Sequence, residues 1–238
     1  MQIYYKFRMF ASKMLAREAI ETHGVRIAVD LKVVPFFIRK ALYKRSYEKH
    51  ELTLINKVIK KGDLVIEIGA GIGLVSLVAT HIAGEGCIHS YEANPEMESV
   101  IRHNYRLNGW QPNLVMQAVT ADGREIELHR HENIISTSII DRGLKSTKMR
   151  ISSTALPELM KDIEPTVLIM DAEGAEDELL VLDCIQTVRD IIVEMHPQII
   201  GQCRVDALCE HLLEKGFEIE ETCGSNIHFT NRNAGKLL

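Results

Sequence analysis

Asp63-Leu64-Val65-Ile66-Glu67-Ile68-Gly69-Ala70-Gly71-Ile72-Gly73 decides the fold. Leu64 to Ile68 is a run of five residues, mostly apolar and β-branched, with no breaker; it reads as a buried strand. Gly69, Gly71 and Gly73 make a turn that a Cβ would obstruct, and an apolar helical pattern follows from Ile72 to Ile82. A strand, a glycine turn and a helix set backbone N–H groups at the carboxyl end of a sheet, where open α/β folds bind nucleotide-like ligands.

The dinucleotide fingerprint G-x-G-x-x-G fails, because the position of its last glycine is Leu74. What remains is E-x-G-x-G-x-G. Glu67, just before the turn, is a poor neighbour for pyrophosphate and suits the amine and sulfonium of S-adenosylmethionine. A second strand, Cys87 to Glu92, ends in an acid roughly 20 residues past the turn, the spacing at which a carboxylate takes ribose hydroxyls.

The pattern alternates outward from this unit. Strands are expected at 64–68, 87–92, 113–118, 166–171 and 190–195. Helices are expected over 72–83, after Asn94-Pro95, from a Thr154 cap to about Lys161, from Ala175, and over 205–215. A hairpin, 217–221 with 226–230, closes the chain. This order predicts a doubly wound, mostly parallel seven-stranded α/β sheet of the class I methyltransferase (Rossmann-like) layout. Residues 1–60 read as an N-terminal helical cap and 61–238 as the S-adenosylmethionine-binding catalytic domain. Residues 122–152 break the rhythm, with an exposed strand at 125–130 and a polar, irregular stretch after it.

Two more strand ends carry polar groups. Asp171-Ala172-Glu173-Gly174-Ala175-Glu176 follows one, and Glu194-Met195-His196-Pro197 the other. Alternation puts Asp171 with Glu173 and Glu194 with His196. If the two strands are neighbours, four ionisable groups meet beside the glycine turn, as in a ligand site. Glu176 reads as a first-turn helix acid. His196 is the preferred general base, because its ordinary pKa is about 6.5; Glu194 and Glu173 are the alternatives. No H-x-x-x-H or D-x-D spacing is present, and His129 and His131 read as a surface pair, so no metal is expected.

These residues resemble the FkbM-type methyltransferases. The resemblance rests on Glu67 to Gly73, Asp171 to Glu176 and Val193 to Pro197, with Ser46-Tyr47-Glu48 and Ser136-Thr137-Ser138 in support, and spans about residues 30–200. Gly71 stands where that family commonly has Asn. The resemblance implies S-adenosylmethionine as cofactor and O-methylation of a sugar, natural product or other small molecule. Methylation of an amide nitrogen is the enzymatic alternative, and a cofactor-binding scaffold subunit without catalysis the non-enzymatic one. The cofactor-binding set is then Tyr47, Glu48, Glu67, Gly69, Ala70, Gly71, Gly73, Glu92, Ala93, Ala118 and Asp171, with Ser136 to Ser138 and the N-terminal helices forming a lid.

Composition bounds the partners. The chain has 238 residues, is 46% hydrophobic and 26% charged, and carries a net charge of −5. Net acidity argues against bulk nucleic-acid binding, so nucleic acid is not expected as a partner. The basic stretches Arg39, Lys40, Lys44, Arg45 and Arg142, Lys145, Lys148, Arg150 read as solvated faces. No apolar run reaches membrane-helix length, and the first 19 residues lack a continuous apolar segment, so neither membrane nor signal peptide is expected. The five scattered cysteines form no C-x-x-C and fit reduced thiols in the cytoplasm.

Overall fold

The computed structural model describes residues 18–30, 34–130, 137–138 and 147–234. Of the expected lid, Ser136 lies outside the described residues, as do His131, Arg142 and Lys145.

The described residues open with a hairpin, β1 (Ala19–Thr22) and β2 (Val25–Ala28), turning at His23-Gly24. Over 19–28 the expected helical pattern is corrected to this hairpin, while 36–44 and 49–58 are helical as expected. Ile20, Val25 and Ile27 are buried and pack into the same cluster as Leu52, Ile55 and Leu77. Asn104 and Asn108 tie the hairpin down. Asn104 accepts the Ala28 N–H (2.9 Å) and donates to the Ile72 carbonyl (2.8 Å), while Asn108 accepts the Arg26 N–H and donates to its carbonyl, both at 2.8 Å. Side-chain amides thus satisfy an edge strand that has no further strand partner among the described residues.

Helices α1 (Phe36–Lys44) and α2 (Lys49–Val58) follow, then β3 (Val65–Ile68), α3 (Leu74–Ala83), β4 (Ile88–Tyr91), α4 (Glu98–Leu107) and β5 (Asn113–Val115). The single strand expected at 113–118 is two: β6 (Ala118–Thr120) leaves the main sheet and pairs in parallel with β10 (Ser153–Ala155). Between them β7 (Ile126–Arg130), β8 (Thr137–Ser138) and β9 (Thr147–Ile151) form a small antiparallel sheet. Thr154 therefore lies in a strand, its hydroxyl on Gln117 Oε1 at 2.6 Å, and α5 (Leu156–Ile163) starts from Ala155 instead. Then come β11 (Val167–Met170), α6 (Glu176–Leu179), β12 (Asp190–Glu194), α7 (Pro197–Ile200), α8 (Gln202–Glu214), β13 (Phe217–Cys223) and β14 (Asn226–Asn231).

The main sheet has seven strands in the order β13-β14-β12-β11-β3-β4-β5, parallel from β12 to β5 and antiparallel at β14 and β13. The predicted class I methyltransferase layout is present. β3 and β11 are buried along their whole length, as inner strands covered on both faces must be. Alternation sends Val65 and Ile169 to the face packed by α2 and α3, and Ile66, Ile68 and Leu168 to the face packed by α5 and α8. Among the described residues no helix is long and apolar enough to cross a membrane.

An ion-pair network clamps the opposite end of the strands from the glycine turn. Arg189 grips Asp63 with two nitrogens at 2.8 Å each and Asp190 at 2.6 Å, and both acids are buried. Against burial, which pushes the other way, the Arg189 guanidinium holds the Asp63 carboxyl below its ordinary range, and His228 followed by Arg189 does so for Asp190. Arg189→Ala removes the cation from buried Asp63 and one partner from buried Asp190, which keeps His228 and Thr230, a loss of about 3–5 kcal/mol. Thermal unfolding of the variant should fall by roughly 6–20 °C for a chain of this size; an unchanged midpoint would show the network to be dispensable.

Candidate functional site

The glycine turn forms because β3 must reverse into α3 directly above a neighbouring strand. Gly69 has φ +91°, and a Cβ there would stand 1.9 Å from the Asp171 carbonyl oxygen, so only glycine fits. Gly71 has φ +56°, and a Cβ there would meet the Tyr47 hydroxyl at 3.3 Å. Above this turn opens a cleft of about 430 Å³, within the range of small-ligand sites. It is lined by Tyr47, Glu48, Gly69, Ala70, Gly71, Glu92, Ala93, Ala118, Asp171, Glu173, Glu194 and His196, all expected site residues.

Two expected residues do not line it. Gly73 caps α3 in the left-handed region, where a Cβ would press on Ile101 at 3.1 Å, so its role is packing. Glu67 faces the helix side of β3, 1% exposed, and its predicted contact with the cofactor amine is corrected. Burial pushes its carboxyl up to about 7, against the pull of the Ser90 and Ser76 hydroxyls. The side chain points away because residue 67 shares the face of Val65.

Glu92 holds the turn as well as facing the cleft. One carboxylate oxygen accepts the Gly71 N–H at 2.8 Å and the other the Asn94 N–H at 2.7 Å. Burial nevertheless raises its pKa.

The acids of the next two strands converge as alternation predicts, because β11 and β12 are paired neighbours. His196 Nε2 stands 3.4 Å from Asp171 and 3.9 Å from Glu173. Its Nδ1 faces Glu176 Oε1 at 3.1 Å. Glu176, expected as a surface helix acid, is wholly buried and also accepts the N–H groups of Gly174 (2.7 Å) and His196 (3.1 Å). The D-x-E-G-x-E motif thus carries the anchor for a histidine twenty residues on. Burial disfavours the imidazolium, but the Glu176 hydrogen bond and the charges of Asp171, Glu176 and Glu173 outweigh it and raise His196 to about 9. The shift runs opposite to the near-neutral histidine expected: the neighbouring carboxyls favour the protonated ring.

Sequence reasoning missed Phe37, Glu51, Gln117 and Gln198 on the cleft wall. A signal existed for Glu51: it falls on the apolar stripe of α2 with Leu52, Ile55 and Val58, where a solvated acid does not belong. Glu51 is 3% exposed, and burial together with the charges of Glu48, Asp171, Glu67 and Glu194 pushes its carboxyl well up. Glu48 is raised to about 7 by burial and by Glu194, and Asp171 is raised by burial and by the charges of Glu194 and Glu48.

These groups make the ligand-free protein more stable in mild acid. A carboxyl or imidazole that holds its proton to higher pH folded than unfolded contributes stability that is lost as pH rises from the unfolded to the folded value. That interval is 4.5 to about 7 for Glu48 and 6.5 to about 9 for His196. The unfolding midpoint should fall from pH 5 to pH 9, and Glu51→Gln should raise it at pH 8 and flatten the slope. A midpoint that climbs with pH would contradict this electrostatic picture.

A family model described as the TRM5/TYW2 methyltransferase domain matches residues 19–196. No curated protein matches in sequence. Similar solved structures include precorrin-6y C5,15-methyltransferase from Geobacter metallireducens GS-15, at 15% identity over 85% of this chain and 92% of that one, with a TM-score of 0.47. TYW2 of M. jannaschii in complex with AdoMet is 11% identical over 89% of this chain and 82% of that one, with a TM-score of 0.45. Trm5b of Pyrococcus abyssi is 14% identical over 89% of this chain and 53% of that one, with the same score of 0.45. The expectation of a small-molecule or natural-product acceptor, with nucleic acid unlikely, is overturned by the family match, because the TRM5/TYW2 family points to tRNA or RNA. The finer FkbM-type assignment finds no support in these comparisons.

Proposed function

We propose, from the premise that this chain belongs to the TRM5/TYW2 methyltransferase domain family, that it is an S-adenosylmethionine-dependent enzyme that methylates a nucleotide of RNA. The family match carries this reading. The cleft residues fit the cofactor: the glycine turn leaves a cradle that a Cβ would fill, and Glu92 presents a carboxylate to it. Glu92 would hold the ribose, the Gly69 to Gly71 backbone the middle of the ligand, and Asp171 with Glu48 its amine. When bound, the cofactor supplies a methyl group on a sulfonium, ready for in-line displacement.

The chain's own task is alignment, exclusion of water and removal of the acceptor's proton. His196 is the proposed base, turned toward the cleft by Glu176, with Glu194 and Glu173 beside it. Carboxylates crowd the interior of the cleft, and no Lys or Arg is found among its described lining residues. Such a wall admits a neutral base and repels phosphate, which leaves the RNA backbone at the rim. The rim has suitable groups: Phe37 is 47% exposed at the cleft edge, and Phe36, Lys40 and Lys44 are exposed on the same helix, α1. Aromatic rings stack on bases and lysines meet phosphates. Lys40 and Lys44, from the basic stretch expected as a solvated face, take that role in this reading, whereas Arg39 of the same stretch is buried.

Two measurements test it. Calorimetry should show binding of S-adenosylmethionine and its demethylated product but not of NAD, since Leu74 replaces the last fingerprint glycine. Methyl-labelled cofactor incubated with the protein and bulk tRNA should label the RNA. Cofactor binding with no label in any RNA fraction would overturn the acceptor; NAD binding without S-adenosylmethionine binding would overturn the whole assignment.

A further inference from the structure

A carboxylate oxygen of Asp171, one of Glu194 and a ring nitrogen of His196 lie within 4.8 Å of one another at the cleft wall. They come from the ends of two adjacent strands, so no local spacing in the sequence announces them. Ligand atoms about 2.0–2.2 Å from a common ion stand roughly 3–4 Å apart, so small side-chain rotations would bring these three onto one centre.

A second observation points to a cation. Glu51, 3% exposed, lines the same cleft. Its carboxylate interacts electrostatically with those of Glu48, Asp171 and Glu194. Ionising this crowded set of carboxyls is costly unless a positive group meets them, and among the described lining residues only His196 can supply one. His196 is in turn presented as a ligand is: Nδ1 faces buried Glu176 at 3.1 Å, which leaves Nε2 toward the cleft. A backing carboxylate of this kind orients metal-binding histidines.

We propose that Asp171, Glu194 and His196 bind a divalent first-row transition ion, with Glu51 completing the negative field around it. Two carboxylates and one imidazole suit Mn²⁺ or a neighbouring ion better than Ca²⁺, which takes oxygen ligands alone. An ion on His196 Nε2 would occupy the nitrogen that otherwise takes the acceptor's proton, so metal-bound and proton-accepting states of His196 exclude one another. The site does not depend on the acceptor being RNA.

The test uses the full chain, stripped with chelator and titrated with MnCl₂, with free Mn²⁺ read by electron paramagnetic resonance. Saturable binding of a single ion is expected. Asp171→Asn and His196→Gln should each weaken it at least tenfold, and Glu176→Gln by about 10–100-fold. Asp122→Asn, an exposed acid paired with Arg124, should leave it unchanged. Because a cleft variant can fail to fold, the wild-type protein supplies an independent reading: Mn²⁺ should selectively broaden the amide resonances of residues 171–176 and 194–198. No saturable binding, binding indifferent to Asp171→Asn and His196→Gln, or broadening confined to other acids would overturn the site. None of these outcomes bears on methyl transfer to RNA, which the labelling experiment reads separately.

Discussion

His196→Ala is expected to lower kcat for methyl transfer by about 10²–10⁴, the usual contribution of a positioned general base, and to leave cofactor affinity nearly unchanged. The side chain is held by Glu176 on one nitrogen and opens to the cleft on the other. The pH profile is the sharper readout. Only neutral imidazole accepts a proton, and the surrounding carboxylates hold this one protonated to about pH 9. The rate of the metal-free enzyme should therefore still be rising between pH 7 and 9, where an unperturbed histidine would have levelled off. A variant with near-normal kcat would transfer the role to Glu194 or Glu173. Loss of cofactor binding would place His196 in the cofactor pocket instead.

Glu92→Ala should weaken S-adenosylmethionine binding by at least about tenfold. Each charge-assisted hydrogen bond to a ribose hydroxyl is worth ~1.5–3 kcal/mol. The alanine variant also orphans the Gly71 and Asn94 N–H groups that the carboxylate now holds. Glu92→Gln separates the two effects, because an amide oxygen can still accept from the turn while the charge is gone. Calorimetry on both variants, with circular dichroism to confirm the fold, decides between them. An unchanged dissociation constant in Glu92→Ala would confine Glu92 to supporting the turn.

The cleft was legible where its residues sit at strand ends. Parallel strands of a doubly wound sheet all end on the same side, so Glu92, Asp171 and Glu194 had to arrive near the glycine turn. Legibility stopped where orientation or partners mattered. Glu67 belongs to the same motif as Gly69, yet one step of alternation turns it to the far face. Glu176 looked like a helix-dipole acid because nothing in its neighbourhood of sequence names the histidine it meets across the sheet. The β1–β2 hairpin escaped notice because its edge is satisfied by Asn104 and Asn108, more than seventy residues away.

By itself, then, the sequence determined the alternation of strands and helices, the failure of the dinucleotide fingerprint and the set of acids at the strand ends. These follow from periodicity and backbone sterics, which act over a few residues. Tertiary structure alone decided which carboxyls face the cleft, which histidine nitrogen is held, and how far each proton affinity moves. Those depend on burial and on charges from distant elements: Glu51 on α2, Asp171 after β11 and Glu194 on β12 meet only when the sheet is assembled. In the low dielectric of that assembled cleft, the carboxyls' mutual repulsion raises their own proton affinities, while Glu176, Asp171 and Glu173 favour the protonated form of His196.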